Sequence, residues 1–311
     1  MEICIKVYLL DGTEHFVIEE TNAGEKSIMK NEEAFPDNLL SLLYLDMESW
    51  DRRFAKAEEK LRNGGTAKIA IDLLNDLMLE HIYFALPRFR WDETCDGDAA
   101  ADALARMWDE LAQTREQSLQ IFREVLSDTN GKEGAGKRLR QLHDSGAEHF
   151  AFGPLTVRFE PVWSDDFAEV LYPDSLHDLV DFSLRQCVQR GLRMRVCKNC
   201  GKYFAVTGHG GTEYCDRVFD SKGRTCKEVG AMRQYAITHA GDEVWKDYRR
   251  EYKKCFARMR AGKLSSEDFY AWSKEAQEKK AAYDSGALVQ EAFLDWLAQS
   301  VNRELKKEDR H

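Results

Sequence analysis

The sequence contains no run of 18 or more apolar residues, and its opening, Met1-Glu2-Ile3-Cys4, has no basic stretch leading into an apolar one. On these grounds neither a membrane-spanning helix nor a secretory leader is expected, and the chain reads as soluble and cytoplasmic without a membrane partner. Also missing are HExxH, G-x-S-x-G and a glycine-rich dinucleotide fingerprint, so the common hydrolase and dehydrogenase signatures do not occur and no enzyme is expected. The nearest approach to a phosphate-binding loop, Gly131-x4-Gly136-Lys137, fails because Arg138 stands where Ser or Thr would bind magnesium and no buried strand precedes it. His143, His149 and His177 read as surface or helix-end residues rather than catalysts.

What is present is a chain of 311 residues, 43% apolar and 32% charged, with enough apolar material for two or three small globular units. Of its eight cysteines, Cys4, Cys95, Cys187 and Cys255 are scattered, whereas Cys197, Cys200, Cys215 and Cys226 crowd into 30 residues. That distribution suits a metal site in a reducing compartment better than a disulfide framework. Cys187 and Cys255 fall within helical patterns and read as half-buried core thiols. The net charge of -10 hides an asymmetry: residues 1–184 carry -18, residues 185–235 carry +7 and residues 236–311 carry +1. The basic excess surrounds the clustered cysteines.

Hydrophobic periodicity orders the rest. Ile3, Ile5, Val7 and Leu9 alternate, Asp11-Gly12 supplies a turn, and Phe16 and Ile18 resume the alternation, so a β-hairpin opens the chain. From Pro36 to about Ser127 the apolar residues recur at three and four, which predicts at least three amphipathic helices. The polar stretch from Ser127 to Gly131 interrupts the pattern before a short basic helix containing Lys137, Arg138 and Arg140. A second hairpin is expected with Phe150 and Phe152 before a Gly153-Pro154 turn and Leu155, Val157 and Phe159 after it. Pro173-Asp174-Ser175 then starts a helix striped with Leu176, Leu179, Val180 and Leu184, and Gly191 ends it. Thr225-x-x-Glu228 and Ser265-x-x-Asp268 are capping boxes for later helices. Gly262-x-Leu264-x4-Phe269-x2-Trp272 repeats 24 residues on as Gly286-x-Leu288-x4-Phe293-x2-Trp296, implying two copies of one helix start. The expected fold is α+β and predominantly helical. Its segments are an acidic hairpin-plus-helical region (1–145), a β-hairpin with a feeder helix (146–191), a zinc-binding knuckle (192–240) and a helical tail (241–311).

The chemistry centres on Cys197-Lys198-Asn199-Cys200-Gly201-Lys202. Two residues between thiolates let both sulfurs face one ion, and Gly201 permits the positive φ that such a turn needs. Tyr203, Phe204 and Val206 are expected to start a hairpin turning at His209-Gly210-Gly211 and returning through Tyr214 to Cys215. Cys226 follows Thr225 directly, in the first turn of a helix whose dipole favours a thiolate. One structural Zn2+ held by Cys197, Cys200, Cys215 and Cys226 is the resulting expectation. The alternatives are His209 as a replacement ligand, an iron–sulfur cluster, and a catalytic zinc, which would need an open coordination position.

Arg193, Arg195, Lys198, Lys202, Arg217, Arg224 and Lys227 interleave with this site, and Tyr203, Phe204, Tyr214 and Phe219 lie among them. Such a patch suits DNA or RNA, through phosphate contact and base stacking. It also suits simple compensation of a zinc tetrathiolate, whose formal charge is -2, with the aromatics forming the knuckle's own core and the partner being another protein.

The runs CKNCGKYF from Cys197, YCDR from Tyr214 and GRTCKEVGAMRQY from Gly223, with the two G-x-L-x4-F-x2-W helix starts, resemble an uncharacterised bacterial family of unknown function over residues 175–300. More distantly, a helical N-terminal region, a feeder helix and a cysteine knuckle resemble the CGNR zinc-finger proteins, regarded as bacterial transcription regulators. Those proteins carry Gly-Asn-Arg after the last cysteine, where this chain has Lys227-Glu228-Val229-Gly230. The charge asymmetry and this resemblance together point to a zinc-binding bacterial regulatory protein whose basic knuckle contacts nucleic acid; the alternative is a protein-interaction module with purely structural zinc, and the third reading is an enzyme of unrecognised type.

Overall fold

The computed structural model describes residues 2–127, 133–162, 166–206, 210–238 and 241–308, with no side chains described beyond Ser300. The chain divides into two compact units, Met1–Arg217 and Val218–His311.

In the first unit β1 (Glu2–Leu10) and β2 (Thr13–Asn22) form the expected hairpin, with Ile5 opposite Ile18 and Val7 opposite Phe16. Asp11 and Gly12 both take positive φ, 50° and 79°, the two-residue turn whose twist matches paired strands. Ala23 and Gly24 repeat this geometry and lead into β3 (Glu25–Ala34), a largely exposed edge strand. The second hairpin also exists, but one strand further along than expected. β4 (Val157–Pro161) pairs with β5 (Phe167–Leu171), and β5 joins β1, giving an antiparallel sheet of order β3-β2-β1-β5-β4.

Phe150 and Phe152 form no strand. Phe150 is fully buried and stacks on His177, and the Gly153 N–H donates to Asp181 at 2.7 Å. Arg185 ties the same Asp181 to the Gly153 carbonyl. Apolar burial and a buried carboxylate thus fix this segment against a helix instead of a strand partner.

The helices of this unit are α1 (Asp37–Leu43), α2 (Met47–Arg62), α3 (Lys68–Glu80), α4 (Ala85–Phe89), α5 (Gly97–Ile121), α6 (Ala135–Asp144) and α7 (Leu176–Gln189). Side chains of Asp46, Asp96 and Ser175 accept N–H bonds at the starts of α2, α5 and α7, leaving fewer orphan donors there. α7 is the feeder helix predicted from its stripe, and Gly191 lies just past its end with φ 61°. α5 runs into a π-helical turn, Phe122–Leu126. Ile5, Val7, Phe16, Ile18 and Leu171 on one sheet face share a core with Leu39, Phe54, Leu74, Phe84, Leu104 and Val180 of the helices. Cys187 is buried in that core, as its helical pattern implied.

The second unit is helical: α8 (Cys226–Thr238), α9 (Glu243–Arg260), α10 (Ser266–Asp284) and α11 (Gln290–Glu308). Its core gathers Cys255, Leu264, Phe269, Trp272, Ala276 and Leu297. The internal repeat is two copies of one device. Gly262 and Gly286 take φ of 73° and 76° after α9 and α10, and Phe269 and Phe293 are then buried in the first turns of α10 and α11. The left-handed glycine ends one helix, and the aromatic pulls the next back onto the bundle.

Candidate metal centre

The CxxCG segment is itself the turn of a short hairpin. β6 (Met194–Val196) pairs with β7 (Tyr203–Ala205), Arg195 facing Phe204, so the knuckle lies between two strands. This corrects the expected hairpin, in which Tyr203–Val206 would have paired forward toward Cys215; the return segment from Gly210 forms no strand. The reason is local: the Cys197 N–H donates to the Lys202 carbonyl at 2.9 Å, the Gly201 N–H to the Cys197 carbonyl at 2.9 Å, and Gly201 takes φ 71°. The turn between the first two cysteines already commits β7 to β6. His209, the alternative ligand, lies outside the described residues.

Four further hydrogen bonds bring Cys215 back. Lys198 N–H donates to the Glu213 carbonyl at 3.0 Å, Arg195 holds the carbonyls of Thr212 and Gly210 at 2.6 and 2.8 Å, and Arg217 donates to the Tyr203 carbonyl at 2.6 Å. On the approach to the fourth cysteine, Phe219 N–H donates to the Arg224 carbonyl across a tight turn closed at Gly223, φ 74°. The Asp220 carboxylate accepts from the backbone of Lys222 and Arg224 inside that turn. The capping box then forms as read: Thr225 N–H donates to the Glu228 carboxylate at 2.7 Å, and Glu228 N–H to the Thr225 hydroxyl at 3.3 Å. Cys226 is the first residue of α8.

The Sγ atoms of Cys197, Cys200, Cys215 and Cys226 all lie within 4.8 Å of one another, and three of these cysteines are buried. Cys200 Sγ and Cys215 Sγ are 3.7 Å apart. A tetrahedron with metal–sulfur bonds of about 2.3 Å has edges of roughly 3.8 Å, so that pair already stands at ligand spacing. The donors around the sulfurs favour thiolates: Cys215 N–H points at Cys197 Sγ at 3.4 Å and Arg217 at Cys215 Sγ at 3.8 Å. Burial raises the Cys197 thiol, but the N–H groups of Cys215, Cys200 and Asn199 outweigh it and bring the group down to about 7. Burial and the neighbouring sulfurs push Cys215 up to about 12. A cation held among these sulfurs would favour their thiolate forms. The residues fit a metal ion.

The basic residues divide in two. Arg195 and Arg217 are half-buried and hold backbone carbonyls, and Lys202 lies 5.2 Å from the centre of the Tyr44 ring. Arg193, Lys198, Arg224 and Lys227 are exposed; Lys198 pairs with Glu213, and Arg224 with Asp220 at 2.6 Å. Of the aromatics, Phe204 is buried and Tyr203 packs edge-on against Phe122, so both serve the knuckle's packing. Sequence reasoning missed Tyr44, whose hydroxyl accepts the Tyr203 N–H and whose ring lies beside Arg217 and Lys202. A tyrosine 159 residues away carries no local signal of that role.

Among the described residues no helix is long and apolar enough to cross a membrane. No curated protein and no solved structure matches the chain. Residues 160–305, which take in β5, α7, all four clustered cysteines and most of the terminal bundle, match the family described as "Family of unknown function (DUF6076)".

Proposed function

We propose that the four cysteines bind one structural Zn2+ and that the chain is a non-enzymatic, cytoplasmic regulatory protein whose basic knuckle contacts nucleic acid. The carrying observation is the set of four mutually close thiols within the chain's one strongly basic segment. Zinc suits this donor set, because thiolates select soft or borderline ions and four of them fill a tetrahedron. A filled shell has no open position for water or substrate, so the ion's contribution is folding free energy, on the order of 10–16 kcal/mol in zinc-finger peptides. The exposed pairs Lys198–Glu213 and Arg224–Asp220 are worth roughly 0–1 kcal/mol each, so exchanging the carboxylate for a phosphate costs little.

A second reading is favoured by Arg195 and Arg217, which are held by their own backbone, and by the exposed Met232, Tyr235 and Ile237 on α8. In that reading zinc only holds the fold, and the partner is a protein.

Titration of the zinc-loaded full-length chain with duplex and single-stranded DNA and RNA at several salt concentrations separates the two. Nucleic-acid contact gives binding that weakens linearly in log salt, and Arg193→Glu with Lys198→Glu flattens the slope by about 0.7–0.9 per lost contact. A zinc-replete protein with no measurable affinity leaves the protein-partner reading.

A further inference from the structure

Beside the knuckle, and wholly within the first unit, is a cavity of about 700 Å³. Its volume falls within the roughly 300–1,000 Å³ range of sites for small molecules and cofactors. Five pieces of chain build it. The π-helical turn after α5 contributes Arg123 and the residue just beyond it Ser127, β6 contributes Arg195, the knuckle Lys198, β7 Tyr203 and the return segment Glu213. Three cations and one carboxylate, Glu213, therefore face a shared space, with the Tyr203 side chain forming part of the wall.

The placement is held in several ways. Ser127 forms a parallel bridge with Met194, which locks the end of the π turn to β6. Arg195 is fixed by the carbonyls of Gly210 and Thr212, and Lys198 is tied to Glu213 across the rim. The Arg123 side chain is 57% exposed and pairs with Glu116 at 3.8 Å. Single π turns are frequent at functional sites. Here the residues of that turn include a guanidinium and lead directly to a hydroxyl at the cavity.

We propose that this cavity binds a phosphorylated small molecule of mononucleotide size. Arg123 and Lys198 would take the phosphate oxygens, Ser127 would donate a hydrogen bond, and Tyr203 would supply an aromatic wall for the organic moiety. Guanidinium and ammonium groups converging from separate elements match a phosphate's several acceptor oxygens, and the charge-assisted bonds formed are about twice as strong as neutral ones. The inference rests in part on the nucleic-acid reading, since Lys198 serves both, but it moves the contact from an open face to a pocket. It also brings in Arg123 and Ser127, which lie more than 65 residues before the knuckle.

The test is calorimetric titration of the zinc-loaded full-length protein with pyrophosphate, AMP and ADP at low salt, beside a twelve-nucleotide single strand. Variants Arg123→Glu and Arg106→Glu are compared, the latter a charge-matched exposed site on α5. The expected result is saturable one-to-one binding of a small phosphate compound, weakened at least tenfold by Arg123→Glu and unchanged by Arg106→Glu. Binding of the oligonucleotide alone, or equal binding by both variants, overturns the pocket while leaving the nucleic-acid reading in place. Absence of binding by every probe likewise overturns the pocket, and the nucleic-acid reading is then decided by the duplex titration above.

Discussion

Glu14 offers the sharpest energetic test of the first unit. It is fully buried on β2, where Oε1 accepts from Asn38 Nδ2 at 2.9 Å and from the Tyr83 hydroxyl at 2.8 Å. Oε2 is buried without a hydrogen-bond partner. Burial raises the carboxyl from 4.5 to about 7, against the pull of Asn38 and Tyr83. The folded chain therefore holds a proton there more tightly than the unfolded one. The associated stability is fully present below about pH 4.5 and is lost as pH rises through about 7. Across that window of about 2.5 pH units, at about 1.4 kcal/mol per unit, the loss is on the order of 3 kcal/mol.

His81 works in the opposite sense. Burial lowers it from 6.5 to about 4, against the hydrogen bond to the Asn38 carbonyl, so its contribution is present above 6.5 and is lost as pH falls through about 4. The two slopes offset each other between about pH 4.5 and 6.5. Glu14→Gln mimics the neutral acid and removes only the first slope. Urea unfolding at matched pH, with zinc saturating, should find the variant within about 1 kcal/mol of the parent at pH 4.5 and up to roughly 3 kcal/mol more stable at pH 8. A variant destabilised equally at both pH values would refute the claim that Glu14 is carried neutral.

Two other substitutions probe packing and pairing. Phe293→Ala, at a fully buried position in the second unit, should cost about 3–5 kcal/mol, whereas Tyr270→Ala, 66% exposed, should cost under about 0.5 kcal/mol; thermal unfolding of both variants checks the ranking. Asp181→Ala leaves the Arg185 guanidinium and the Gly153 amide without their shared acceptor and should cost about 1–3 kcal/mol. Hydrogen exchange of residues 150–155 should accelerate in that variant, and unchanged protection would contradict the anchoring role given to Asp181.

Features with local causes were legible in the sequence. The β1–β2 hairpin follows from alternation around Asp11-Gly12, α7 from its cap and stripe, and the bundle corners from Gly262 and Gly286. The close set of four cysteines was legible from spacing, because two residues between thiols constrain the backbone directly. Non-local pairings were not. β3 reads Glu-Lys-Ser-Ile-Met-Lys-Asn-Glu-Glu-Ala, an edge strand with little buried on either face, so no period-2 signal marks it. Phe150 and Phe152 alternate like a strand, but Asp181 and Arg185, some 30 residues on, decide the segment's partner. The cavity beside the knuckle was invisible for the same reason, since Arg123 is brought to the β6–β7 hairpin by long-range contacts, the Ser127–Met194 bridge and the packing of Phe122 on Tyr203. Lys198 and Arg224 read as a uniform basic patch, yet the fold gives each a carboxylate from its own chain.

The central claim is a closed tetrathiolate metal site, and metal analysis of the purified full-length chain tests it most directly. Elemental analysis should give one zinc per chain, X-ray absorption should show four sulfur ligands at about 2.3 Å, and Cys226→Ser should lower the zinc content. A chain without bound metal, one carrying iron with inorganic sulfide, or a zinc shell with nitrogen or oxygen in place of one sulfur would contradict it.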